Sequence, residues 1–416
     1  MAITLPTHAK AVIIGGGIIG TSVAYHLTKL GWKDVVLLER KQLTSGTTWH
    51  AAGLIAQLRA TQNMTRLAKY SQELYFSLEE ETGVSTGFKR NGSITVALTG
   101  ERMEELRRSA GMARAFGVEI DEISTAEISN LYPGLNVEDA VGGVHLPKDG
   151  QGDPVNITQA LAKGARNGGA KIFEGVKVTD IITQNGVAAG VETSHGTIHA
   201  EYVVNCGGMW AREIGAMAGV SVPLHACEHF YIVTEGVEGL QSNLPVLRVP
   251  DECAYYKEDA GKIMLGAFEP NSKPWGMDGI PEDFEFESLP EDIDHFEPIL
   301  EKAINRLPIL AEAGIQTFFN GPESFTSDNR YLMGEAPEVK NFFVAAGFNS
   351  VGIQSAGGAG MALAEWMHKG NAPMDLWDVD IRRMMPFQVN RSYLRERVSE
   401  TLGLLYADHF PYRQVE

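Results

Sequence analysis

Residues 11–39 leave few folds open to this chain. Ala11-Val12-Ile13-Ile14 is an apolar run of the length of a buried strand, and Gly15, Gly17 and Gly20 follow it in G-x-G-x-x-G spacing. An amphipathic segment continues from Ile18 to Leu30, Val35-Val36-Leu37-Leu38 reads as a second strand, and Glu39 closes it. Glycines so placed permit a tight turn and let backbone N–H groups approach a pyrophosphate at the positive end of a helix. Glu39 stands 19 residues after Gly20, near the ~20 at which an acid meets a ribose hydroxyl. A glycine motif alone says little. Strand, motif, helix, strand and acid in that order predict a dinucleotide-binding unit.

The next stretch, Ser45-Gly46-Thr47-Thr48-Trp49-His50-Ala51-Ala52-Gly53-Leu54, narrows the dinucleotide. A Ser/Gly/Thr run directly after the second strand is suited to wrapping the pyrophosphate and flavin edge of FAD. Candidate cofactor contacts here are Arg40, Ser45, Thr47, Thr48, His50, Ala52, Gly53 and Leu54, beside Gly15, Gly17, Gly20 and Glu39.

Charge excludes several partners. A net charge of −18 argues against nucleic acid and against anionic membrane surfaces. Cys206, Cys227 and Cys253 are odd in number and lack metal-type spacing, so neither a disulfide framework nor a metal site is expected. Residues 11–30 are apolar, yet their glycines and the adjoining strand signal argue against a membrane span. Met1 to Lys10 has no signal-peptide pattern, and cytoplasmic placement is the expectation.

Further along, residues 54–82 show helix-like apolar spacing at Leu54, Leu58, Leu67, Leu74 and Leu78, with Arg59 among them. The chain leaves the nucleotide unit near residue 85. Charged helices follow at 101–115 and from Ser124 to Leu131, then a return strand at Gly142–Pro147. Asp153-Pro154 opens a helix to about Asn167. Strands are predicted at 169–174, 176–182, 186–193 and 197–208; in FAD proteins of this general plan a strand here lies beside the adenine, and Val178 is the candidate. Val203 to Gly208 ends in small residues, as where backbone passes close to a dinucleotide, and Cys206, Gly207 and Trp210 join the cofactor candidates. From His225 to Glu269 the pattern turns strand-rich, at His229–Thr234, Cys253–Lys257 and Lys262–Glu269, which suits an antiparallel sheet on a substrate side. A surface loop at 270–290 leads to a helix from Asp292 to Arg306. After Gly321–Asp328, the strand Phe342–Gly347 leads into an Ala/Gly-rich helix. Gly347 and the backbone of Gly352 and Ile353 would then lie at a helix start that favours negative charge on a reduced flavin.

Trp49–Gly53, Gly266–Pro270 and Ala345–Gly360 resemble segments of the dimethylglycine dehydrogenase and sarcosine dehydrogenase family, and the resemblance runs from Ile13 to about Tyr412. It implies an α/β fold of p-hydroxybenzoate-hydroxylase-like plan, in which a Rossmann-type FAD-binding domain (1–85, 150–220, 320–370) interleaves with an antiparallel-sheet substrate domain (86–149, 221–319). Residues 371–416 form a C-terminal extension. It also implies that His50 carries FAD covalently, where the related monomeric sarcosine oxidases use a cysteine elsewhere. Larger members continue into a folate-binding half; this chain stops at Glu416, so a free-standing oxidative unit, a separate folate-binding partner and a shortened piece of a longer protein are all open.

The implied chemistry is FAD-dependent removal of an N-methyl group from a small amino acid, with formaldehyde released or its carbon passed to folate. Electrons go to dioxygen or to an electron-transfer flavoprotein. The amine arrives as an ammonium whose nitrogen lone pair is blocked, so a polar group must take its proton. His229 and Tyr255 match the family positions for that work. Strand alternation turns Tyr256 away from Tyr255, and Tyr256 is kept as a substrate contact. His225 is the competing histidine. Carboxylate recognition wants a fixed cation: Arg59 is nearest the flavin segment, with Arg330 and Lys257 behind it, and a solvated helix face is the other reading of Arg59. Glu269 has no assigned role. Two rivals stand, a deaminating glycine or D-amino-acid oxidase and a regulatory protein that keeps the fold without turnover.

Overall fold

The computed structural model describes residues 3–408, so Tyr412 and the end of the 371–416 extension lie outside the described residues. Its first sheet is built on parallel strands in the spatial order Phe342–Ala346, Gly196–Asn205, His8–Ile14, Val35–Leu38, Lys171–Phe173. Leu332–Glu335 adds an antiparallel edge, and Val178–Gln184 with Val187–Thr193 hangs from Gly196–Asn205 as a hairpin. Ile14 is in register with both Leu38 and Asn205, so three strands end together. Ligands of open α/β sheets bind beyond such carboxyl ends.

Helices cover one face of this sheet, among them Ile18–Lys29, Pro154–Asn167 and Gly352–Lys369, and their small residues have a packing cause. The helix Gly352–Lys369 lies between Ile18–Lys29 and Gln62–Thr82. Ser22 Oγ donates to the Ala356 carbonyl at 2.7 Å, and the Gly358 N–H donates to Ser71 Oγ at 2.9 Å. A Cβ on Gly358 would stand 2.2 Å from the Leu67 carbonyl oxygen, and one on Gly360 2.2 Å from Ser22 Oγ. Backbone cannot yield there as a flexible side chain can. Gly358→Ala is therefore expected to destabilise the protein by about 1–3 kcal/mol, read as a lowered denaturation midpoint.

The second sheet has eight strands, in the order Ile315–Asn320, Phe230–Thr234, Lys262–Ala267, Ala254–Asp259, Val246–Val249, Ser93–Ala97, Gly142–Leu146, Asp121–Ile123. It is antiparallel except where Val246–Val249 runs parallel to Ser93–Ala97. That pair is the seam between two stretches of chain, 93–146 and 230–320. One face packs on the helix Ile293–Arg306, through Phe296, Ile299 and Ala303 with Ile232, Tyr256 and Leu265. The other face roofs a cavity. A three-stranded sheet, with Leu224–Cys227 between Pro274–Trp275 and Glu323–Thr326, joins the two regions.

The expected helix over 54–82 is shorter than its leucine spacing suggests. Gly53 adopts φ +75° against the Gly152 carbonyl, and Leu54–Ile55 pairs with Gly150–Gln151 as a short strand. The helix starts only at Gln62, where the Thr61 hydroxyl accepts from the Met64 N–H at 3.4 Å. Arg59 thus sits on a connecting segment and is half-buried, not on a solvated helix face.

Buried histidines give the fold a pH dependence. His26 lies between Ser22 and Tyr70, and burial pushes its pKa down to about 4. His225 is likewise pushed down to about 4 by burial. A histidine held neutral in the fold but free to protonate when unfolded contributes stability above pH ~6.5. That stability is lost as pH falls from there toward 4. Denaturant midpoints measured between pH 7.5 and 4.5 should therefore decline steadily, and a His26→Gln variant should decline less.

Candidate active site

A cleft of about 380 Å3 opens at the carboxyl end of the first sheet. Its glycines divide the labour. Gly15, at φ +114°, would bring a Cβ within 2.3 Å of the Cys206 carbonyl, and Gly20 would meet the Gly15 carbonyl at 2.0 Å. Both serve close packing, and Gly20 lies behind the cleft. Gly17 faces it, meeting only Thr48 Oγ1 at 3.1 Å. That hydroxyl accepts from the Ile18 N–H, so the Ser/Thr segment is pinned to the first helix. Glu39 accepts from Gly16 N–H at 2.7 Å and Lys41 N–H at 2.8 Å. Burial raises its pKa, while those N–H groups oppose the shift. Arg40 stacks 4.2 Å over Trp210 and donates to the carbonyls of Glu282 and Phe284. Ser45, Thr47, Val178, Cys206, Gly207, Gly347, Gly352 and Ile353 complete the candidates that line this cleft.

Beyond Thr48 the chain makes a single 3-10 turn, Thr48–His50. His50 is buried, and among the described residues its Nε2 has no hydrogen-bond partner. Burial, with His229 adding, pushes its pKa down to about 3, so the imidazole is neutral. Its ring packs on Phe319 at 5.0 Å. A Cβ on Gly321 would approach the ring to 2.7 Å, so only glycine fits there. The cleft thus offers a bare glycine turn and a buried acid, and His50, which lines the adjoining second cavity next to the shared Ala51, offers a buried imidazole. These features fit FAD.

A second cavity, about 560 Å3, lies under the eight-stranded sheet and shares Ala51, Glu323, Ser350 and Ile353 with the cleft. Register explains its roof. Phe319 opposes Tyr231, Tyr231 opposes Gly266, Gly266 opposes Tyr255, Tyr255 opposes Arg248, and Arg248 opposes Thr95. Residues opposed across a ladder point to one face. Gly266 lets the Tyr255 ring lie across it, since a Cβ would be 1.9 Å from that ring. His229 precedes its strand, is buried with Nδ1 unpartnered, and lies 5.1 Å from Phe268, ring to ring. Burial raises the Tyr255 phenol well above its ordinary range.

Several assignments change. Tyr256 is on the opposite face, fully buried among Ile232, Leu265 and Phe296, so it cannot touch a substrate. Ala52, Gly53 and Leu54 line the second cavity and not the nucleotide cleft. His225 is on the strand Leu224–Cys227 and lines neither cavity. Lys257 donates to the Ala52 carbonyl at 3.0 Å, and so props the His50 segment. Arg330 lines the second cavity but is paired with Asp378 at 3.2 Å. Arg59 lines it too; it donates to the Leu58 and Ala56 carbonyls, and burial with Arg248 nearby lowers its pKa to about 10. Arg248 is the residue that sequence reasoning missed. Its signal is faint, one arginine inside the apolar run Val246–Val249.

Residues 10–366 match the family model "FAD dependent oxidoreductase", and residues 369–416 match "FAD dependent oxidoreductase central domain". The chain is 42% identical to a mouse (Mus musculus) mitochondrial pyruvate dehydrogenase phosphatase regulatory subunit, over 97% of this chain and 46% of that protein. It is 43% identical to 4-methylaminobutanoate oxidase (formaldehyde-forming) of Paenarthrobacter nicotinovorans, over 99% and 50%. Mouse mitochondrial sarcosine dehydrogenase is 41% identical, over 98% and 45%. The chain therefore spans about half the length of these relatives. Among solved structures, L-proline dehydrogenase from P. horikoshii superposes with a TM-score of 0.81 at 26% identity, over 94% of this chain and 100% of that one. The glycine-motif cleft and the family match over most of its length agree: the chain belongs to the FAD dependent oxidoreductase family.

Proposed function

We propose that this FAD-dependent chain oxidises the N-methyl group of a small secondary or tertiary amino acid and that His50 carries the flavin covalently. The observation that carries the reading is the cavity in which His229 and Tyr255 lie beside Arg59 and Arg248, joined to the nucleotide cleft at Ala51 and Ile353. Relatives named for sarcosine and 4-methylaminobutanoate support the substrate class. When bound, the flavin would supply the two-electron acceptor.

The chain's own groups do the rest. Arg59 and Arg248 offer N–H donors to a carboxylate. His229 takes the ammonium proton, which frees the nitrogen lone pair. With its proton held by burial, Tyr255 acts as a hydrogen-bond donor that fixes the substrate and not as a base. Loss of a hydride equivalent from the N–CH3 carbon leaves an iminium, and water converts it to formaldehyde and the demethylated amine. A folate-binding partner for that carbon, and an electron-transfer flavoprotein as acceptor, belong to the same proposal.

Likeness to a regulatory subunit supports a second reading, a binding protein without turnover. Anaerobic titration of the flavoprotein with sarcosine, dimethylglycine and 4-methylaminobutanoate separates the two. Bleaching with formaldehyde as product is expected; ammonia as product would mean deamination, and a bound flavin that no amine bleaches would mean regulation.

A further inference from the structure

The second cavity holds four guanidiniums, and its carboxylates are unevenly matched to them. Arg102 is taken by Asp251 at 2.9 Å and by Glu105, and Arg330 by Asp378. Asp149 accepts from the Gln57 N–H and the Ser93 hydroxyl, and lies within the influence of Arg59 and Arg248. Glu323 differs. It is buried to 7% exposure and lines both the cavity and the cleft, yet among the described residues no hydrogen bond or ion pair reaches its carboxylate.

Its position is well fixed. Glu323 is paired with Cys227 across an antiparallel ladder, and the turn that follows the strand Phe342–Ala346 is bonded to the next residues of its own strand. Asn349 N–H donates to the Ser324 carbonyl at 3.2 Å, and Asn349 Oδ1 accepts from the Thr326 N–H at 2.9 Å. The phenols that feel its charge are Tyr231 and Tyr255, both on the cavity roof. Phe268 and Tyr406 continue that aromatic wall, their rings 4.4 Å apart. A buried carboxylate without a cation is costly unless a ligand supplies one. Aromatic faces around an acid are the surroundings that select methylated ammonium groups.

We propose that Glu323, with the rings of Tyr231, Tyr255 and Phe268, is the ammonium-recognition group of this cavity and selects N-methylated over neutral ligands. The inference rests on the amine-oxidising reading of the site and deepens it: Arg59 and Arg248 hold the acid end of a ligand, Glu323 the amine end. The same charge faces the iminium product. Glu323 also opposes loss of the ammonium proton, so the proton must leave to a separate base, His229.

The test uses two probes on the flavin-loaded protein, read as perturbation of the flavin absorbance. Trimethylammonioacetate carries a fixed positive charge and no lone pair, so it binds without being oxidised. (Methylthio)acetate keeps the carboxylate and one methyl on a neutral sulfur, the outline of an N-methylated glycine without its charge. Glu323→Gln is expected to weaken the cation by on the order of ten- to a hundredfold and to leave the thioether nearly unchanged. Glu323→Asp, which keeps the charge, should retain a preference for the cation. Equal losses for both probes, or no loss for either, would overturn the inference. If E323Q fails to hold flavin, the unmodified protein decides: thioether binding as tight as that of the cation overturns the inference. A flavoprotein that binds neither probe and is bleached by no amine overturns the functional reading, and the inference with it.

Discussion

Alanine in place of His229 is expected to slow anaerobic bleaching of the flavin by an N-methyl amino acid about 10²- to 10⁴-fold, the usual worth of a positioned proton acceptor. The argument is one of place. His229 precedes the strand Phe230–Thr234, its carbonyl accepts from the Gly321 N–H at 2.8 Å, and its Nδ1 is buried without a partner in the cavity. Stopped-flow absorbance at saturating amine measures the effect directly. His225→Ala is the matched control, because His225 is as buried but lines neither cavity. It should lower stability and leave the limiting bleaching rate within about threefold, as expected for a group outside the site. Equal slowing in the two variants would remove His229 from its role.

A second large effect is expected at His50. The purified protein, precipitated with acid, should keep its yellow colour in the pellet, and His50→Ala should release all of it to the supernatant. A neutral imidazole with an unpartnered nitrogen is the condition for bonding to carbon, and burial supplies it by pushing His50 down to about 3. Gly321→Ala tests the placement without touching the histidine. Its added methyl would stand 2.3 Å from the Phe319 ring and 2.7 Å from the His50 ring, so both rings must shift and the fraction of retained flavin should fall between the two extremes. Colour released equally by the unmodified protein would refute covalent attachment while leaving FAD dependence intact.

How much of this was legible in the sequence depended on how local each signal was. The strand, glycine motif, helix and acid of residues 11–39 sit within one continuous stretch, so spacing alone carried them. Alternation put Tyr255 and Tyr256 on opposite faces, but it could not say which face meets the cavity, and Tyr256 was wrongly kept as a substrate contact. The leucines at 54 and 58 misled because Gly53 turns the chain before any helix can form. Arg248 was invisible for a different reason: only pairing with Tyr255 and Thr95 across the sheet turns it toward the cavity. Lys257 looked like a substrate cation, but tertiary packing spends it on the Ala52 carbonyl. Glu323 carried no pattern at all; what sets it apart is the want of a partner among the described residues after folding.

The row that runs from Tyr231 through Tyr255 to Arg248 makes the roof a measuring stick. Its divisions are hydrogen-bonded strands, about 4.8 Å apart. An amine held near Tyr255 and an acid held by Arg248 are separated by one division. Thr95 marks the next. An arginine moved from 248 to 95 would lengthen the preferred amino acid by roughly that spacing without disturbing the groups that handle its nitrogen. If the site acts on an N-methyl amino acid as proposed, chain length in the substrate would thereby be uncoupled from the chemistry at its methyl end.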